Sequence, residues 1–75
     1  MMKRLSELSV GEKGIIHSFE PDEIYLKLME MGCVPGELIE IGIPAPLGDP
    51  ISVKVAGYTL SLRKEEAAIV WVEKA

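Results

Sequence analysis

Residues 37–62 read ELIEIGIPAPLGDPISVKVAGYTLSL and hold three strand-like runs. Ile39, Ile41 and Ile43 alternate with Leu38, Glu40 and Gly42. Ile51, Val53 and Val55 alternate with Ser52 and Lys54, and Tyr58, Leu60 and Leu62 alternate with Thr59 and Ser61. Such period-two alternation of aliphatic and aromatic residues marks half-buried strands. Ala56-Gly57 turns the chain between the second run and the third. Between the first and second stands PAPLGDP, residues 44–50, whose three prolines fix their own φ and restrict the residues before them. A two-residue Asn-Gly or Asp-Gly turn would join the strands with less chain. Two readings of the surplus are open. Either it is a pre-set hairpin connection with Leu47 folded onto the core, or it is a rigid recognition loop with Leu47 as an apolar anchor and Gly48-Asp49 as its sharp tip.

Toward the N-terminus, Val34-Pro35-Gly36-Glu37 fits a type II turn, with Pro and Gly at the two central positions. Glu20-Pro21-Asp22-Glu23 announces a helix over about residues 22–31, its acidic side chains suiting the positive end of the dipole. Ile24, Leu28 and Met31 share one face, and Gly32 follows as a left-handed stop. Cys33 then reads as a small apolar plug against Leu28. Ile15 to Phe19 reads as a strand with Ile15, His17 and Phe19 on one face. Leu5, Leu8 and Val10 read as a helical turn or a short lead-in. Past Leu62, Arg63 to Ala68 reads as one helical turn and Ile69 to Val72 as a last strand.

The expectation is one mainly β domain over residues 1–75: five short strands in a small closed or nearly closed barrel, one inserted helix, and a helical turn before the last strand. Closure is the economical way for few strands to hide their edges. If left uncovered, Ile69–Val72 would offer an apolar edge for a weak homodimer.

Composition removes several function classes. The net charge is −4 and the basic residues are scattered, which disfavours nucleic acid. No window reaches the roughly 18 apolar residues of a membrane span. A single cysteine and a charged start without an apolar signal core point to the cytoplasm. His17 and Cys33 stand alone, with no paired ligands at metal spacing. No phosphate-cradling glycine loop is present, and no nucleophile with a base beside it. The expectation is no enzyme, no cofactor and no metal site.

GEKGIIHSFE (11–20), LMEMGCVPGELIEI (28–41) and APLGDPISVKVAGYTLSLRKEEAAIVWVE (45–73) in this order resemble the FeoA family, small cytosolic components of bacterial ferrous iron uptake. The resemblance implies an SH3-like barrel and a non-enzymatic accessory role beside the FeoB-type GTPase permease. Similar barrels end the DtxR-type metal-dependent repressors, so a metal-responsive regulatory domain is one alternative and a generic peptide-binding SH3-like module another. Where relatives carry an Arg-rich start to the helical stretch, this chain has Tyr25-Leu26-Lys27, and Lys27 lacks the flat guanidinium fork. The expected partner-binding residues are Tyr25, Leu26 and Lys27 on the helix, and Pro46, Leu47, Gly48, Asp49 and Pro50 in the loop. Arg63 is expected to anchor the barrel, and it lies close enough to a strand end to take part in the contact.

Overall fold

The computed structural model describes residues 1–75. Six antiparallel strands form one sheet in the order β1-β6-β2-β3-β4-β5. They are β1 (Met2–Arg4), β2 (Lys13–Phe19), β3 (Leu38–Ile41), β4 (Ile51–Val55), β5 (Tyr58–Leu62) and β6 (Val70–Lys74), with helices α1 (Ile24–Glu30) and α2 (Lys64–Ala67). A 3-10 turn at Leu5–Glu7 follows β1.

The sixth strand is β1, which lies ahead of the helical turn or lead-in read at Leu5, Leu8 and Val10, where the sequence suggested no element. Met-Lys-Arg carries no alternation of its own. It becomes a strand because Met2, Lys3 and Arg4 pair with Glu73, Val72 and Trp71. It also covers the last strand, whose exposure was the condition for a weak homodimer: β6 has β1 on one side and β2 on the other, so no apolar edge is left there for a second copy. The edges of the ladder are β1 and β5.

Two contacts place α1 beside β5. Lys27 reaches Glu66, just past the end of β5, and a β-carbon on Gly32 would lie 3.7 Å from that of Ala56, just before its start. These contacts tie the middle of α1 to the segment that follows β5 and the stop after α1 to the turn that precedes it.

The core is aliphatic. Ile16, Ile39, Ile41, Ile51, Val53, Val55, Leu62, Val70 and Val72 supply the sheet's inner face, and Leu5, Leu8, Leu28, Cys33 and Ala67 cover it. On β2 Ile16 is buried while Ile15 and His17 are exposed, and Phe19 does not share their face as the alternation suggested. The register shifts between Ile16 and Ser18, leaving His17 as the extra residue of a bulge, and this returns Phe19 to the core side. Ile43 also departs from its alternation, at 79% exposed, because β3 ends at Ile41.

The end of α1 follows its sequence closely. The Gly32 N–H donates to the carbonyl of Met29 and the Cys33 N–H to that of Leu28, with Gly32 at φ 105°. This is a Schellman stop, and its usual apolar contact is made by Leu28 and Cys33, both fully buried. Burial raises the Cys33 thiol pKa, so the thiol sits as a packing group. The type II turn follows, the Glu37 N–H donating to the Val34 carbonyl with Gly36 at φ 95°.

Candidate functional site

The stiff loop folds on itself before it meets anything else. The Gly48 N–H donates to the Ala45 carbonyl at 2.7 Å, making a turn with Pro46 and Leu47 at its centre, two residues earlier than the Gly48-Asp49 tip expected. Beneath it the Ala45 N–H donates to the Pro50 carbonyl at 2.9 Å. Leu47 at the apex is 96% exposed, so it does not fold back onto the core. The base is pinned by Asp49, whose Oδ1 accepts the Lys64 N–H at 2.9 Å. The Lys64 ammonium lies over Gly48, 3.5 Å from where a β-carbon would be. Locked φ angles and these three bonds leave little to order on binding.

Helix α1 presents the second expected surface. Asp22 starts it by accepting the Ile24 N–H on Oδ1 at 2.9 Å. Leu28 faces inward, which turns Leu26 out at 56% exposed. Tyr25 is only partly free, its ring centroid 6.2 Å from that of Phe19. Lys27 turns toward α2, where its Nζ sits 3.1 Å from Glu66 Oε2.

The fold brings the two surfaces together. Lys27 from α1, Asp49 and Pro50 from the loop, Ser61 from β5 and Arg63 and Glu66 around the start of α2 line one cleft of about 420 Å3. Leu26 and Leu47 lie outside this lining, on the same helix and loop that supply Lys27 and Asp49. Sequence reasoning named Lys27, Asp49 and Pro50 but missed Ser61 and Glu66, and it gave Arg63 first a structural part and only second a place in the contact. The side chain of Arg63 is exposed, and what it contributes to the fold is main chain: its N–H donates to Glu66 Oε1 at 2.8 Å, and its carbonyl accepts from Ala67 at 2.9 Å. The one local signal for Glu66 was its place three residues after Arg63, the return half of a capping box. No local signal ties it to Lys27.

The Glu66 carboxylate is nearly buried, with both oxygens engaged, and the Arg63 N–H and the Lys27 ammonium hold its pKa below the usual carboxylate value. Nothing in the cleft pairs a nucleophile with a base. His17 lies elsewhere, its Nδ1 2.9 Å from Ser18 Oγ on the bulge of β2. No three His, Cys, Asp or Glu side chains converge as a metal-holding group, and no helix is long and apolar enough to cross a membrane. The site is a polar recess flanked by elements that each carry an exposed leucine.

Comparison with known proteins agrees with this architecture. The FeoA domain model matches residues 3–74. A fusion of Fe(2+) transport protein A with the Fe(2+) transporter FeoB from Porphyromonas gingivalis is 41% identical over 71 residues, which is 93% of this chain and 8% of that protein. The chain thus spans a small fraction of that relative. A crystal structure of an iron uptake regulatory protein (FeoA) superposes over 100% of both chains with a TM-score of 0.88 and 34% identity. The Stenotrophomonas maltophilia FeoA, a prokaryotic SH3-domain protein solved with zinc, is 32% identical with a TM-score of 0.80, over 97% of this chain and 89% of that one. A manganese-dependent transcriptional repressor, 18% identical with a TM-score of 0.89 over 99% of this chain and 37% of that one, shares the fold alone. With the domain matched almost end to end and the SH3-like sheet shared, the chain belongs to the FeoA family.

Proposed function

We propose that this chain is a non-enzymatic accessory of bacterial Fe(II) uptake that acts in the cytoplasm by docking on the cytosolic part of an FeoB-type permease. The observation that carries this reading is the Porphyromonas gingivalis relative, in which a matching domain and an FeoB transporter form one polypeptide. Fusion holds two domains at high effective concentration, as suits a pair that works in contact. The surface assigned to the contact is the loop Pro46–Pro50 with Leu47 at its apex, together with Tyr25, Leu26 and Lys27 of α1. A preformed loop with an exposed apolar tip loses little entropy on docking, and a buried apolar anchor supplies much of the energy of such contacts.

The test is an amide NMR titration of the chain with the permease's cytosolic GTPase region. Shifts confined to residues 24–31, 44–50 and the cleft support the reading. Leu47→Asp should weaken binding about tenfold or more. Equal binding by the wild type and Leu47→Asp would remove the loop from the contact. No shift at all would remove the permease's cytosolic region as the partner.

A further inference from the structure

Four charged side chains line the cleft, and three are already committed within the fold. Lys27 is paired with Glu66. Glu66 spends one oxygen on Lys27 and the other on the Arg63 N–H. Asp49 spends an oxygen on the Lys64 N–H. Arg63 is the exception. It takes part in none of the four ion pairs, which are Met1–Glu73, Arg4–Glu20, Lys27–Glu66 and Lys74–Glu12, and its guanidinium donates no hydrogen bond.

The chain's other arginine shows the contrast. Arg4 donates from Nη1 to the Ala68 carbonyl at 2.6 Å and from Nη2 to Glu20 at 3.2 Å, and it lies 4.6 Å over the Trp71 ring. One guanidinium is held on three sides by the protein. The other keeps all five donors free on the wall of a recess, and the Ser61 hydroxyl on that wall is likewise unbonded.

We propose that Arg63, with Ser61 beside it, receives a carboxylate from an acidic side chain of a protein partner. The charges lining the cleft cancel, Lys27 and Arg63 against Asp49 and Glu66, so selection rests on free donors rather than on net charge. A planar fork of N–H groups takes a carboxylate through two parallel bonds, which is stronger and more directional than a contact to a neutral amide. A partner lysine would find both Glu66 oxygens already bonded, on a carboxylate that is nearly buried, and one Asp49 oxygen engaged. A polyanion would find few free cations here, on a chain of net charge −4. This assignment uses the surface of the docking reading above and adds the chemistry of what docks.

The test uses two acetylated, amidated pentapeptides, one carrying a leucine and a glutamate and the other identical with glutamine in place of the glutamate. Each is titrated into the full chain while the Arg63 Nε–Hε signal and the amides of residues 45–50 and 61–66 are followed. The glutamate peptide should move the Arg63 side-chain signal and bind about five- to tenfold more tightly than its twin. Arg63→Gln should bring both peptides to the same weak level, and Arg63→Lys should recover part of the difference. Because only the main chain of Arg63 caps α2, both variants should melt as the wild type does, and Ser61→Ala provides a second check on the same wall. Equal binding of the two peptides, no binding of either, or an unchanged difference in Arg63→Gln would each overturn the assignment. The permease titration is read separately. A peptide response without a permease response removes that partner and keeps the carboxylate site, and the reverse removes the carboxylate site and keeps the docking.

Discussion

Nζ of Lys27 on α1 stands 3.1 Å from Oε2 of Glu66 on α2, across 39 residues of chain, and this pair joins the inserted helix to the start of the last turn-and-strand unit. The partners are unequal: the Lys27 side chain is 65% exposed and that of Glu66 only 10%. An exposed ammonium contributes little to such a pair, whereas the carboxylate also holds the main-chain N–H of Arg63. Glu66→Ala, which removes the acceptor, should therefore cost about 1–2 kcal/mol in urea unfolding. Lys27→Met should stay within about 0.5 kcal/mol. A Lys27→Met cost as large as that of Glu66→Ala would show that the pair, and not the cap, carries the energy.

Two carboxylates set the acid limb of stability. Glu12 is pulled down to about 2, first by its bond to Lys74 and then by the Ser9 N–H, and Glu66 is lowered by the Arg63 N–H and by Lys27. Depressed folded-state values mean that both groups stabilise the fold fully above the unfolded carboxylate value of about 4.3. That contribution is lost as the pH falls from there toward about 2, where Glu12 takes up its proton in the folded state. Glu12→Gln should flatten the fall in melting temperature between those limits while leaving its slope above pH 5 unchanged. A wild-type melting temperature constant across the acid range would contradict the assignment.

Gly32 tests the helix stop. Its φ of 105° is a conformation that side chains rarely adopt, although the space beside it is open enough for a β-carbon in ordinary contact with Ala56. Gly32→Ala should thus cost more than about 1 kcal/mol through backbone strain, not collision. Circular-dichroism melts read this directly, and a neutral result would mean that the helix can end another way.

Leu47 and Leu28 should part company. Leu28 is fully buried under α1, and Leu28→Ala should cost about 2–5 kcal/mol. Leu47 touches almost nothing, so Leu47→Asp should change stability by no more than about 0.5 kcal/mol. A large loss of stability in Leu47→Asp would return the loop to the purely structural reading.

What could be read from the sequence was whatever neighbouring residues decide among themselves. The stop at Leu28–Cys33, the turn at Val34–Glu37 and the alternation of Ile51–Val55 are settled within a few positions, and the structure has them where the pattern put them. Distant partners explain the departures. Met2–Arg4 is a strand only because β6 lies beside it, and Phe19 reaches the core only because His17 is extruded from the ladder with β6. The site divides along the same line. A stiff loop at 44–50 was legible from its prolines and glycine, with the direction of Leu47 left open, whereas the cleft was not legible, since it joins Lys27 to Ser61, Arg63 and Glu66 across the fold.

The place of β6 in the sheet has a kinetic consequence. The meander from β2 through β5 is built from successive strands, but both ladders of β6 reach back across most of the chain, to β1 and to β2. Entropy must be given up to bring those distant segments together before their contacts return anything, so folding belongs to the slower regime of non-local β proteins. On this view the outermost strand docks late, and Arg4, which bonds Ala68 and Glu20 and covers Trp71, forms its contacts after the barrier is crossed. Arg4→Ala should then quicken unfolding in a chevron experiment and leave refolding nearly untouched. Slowed refolding would instead place the pairing of β1 with β6 in the folding nucleus.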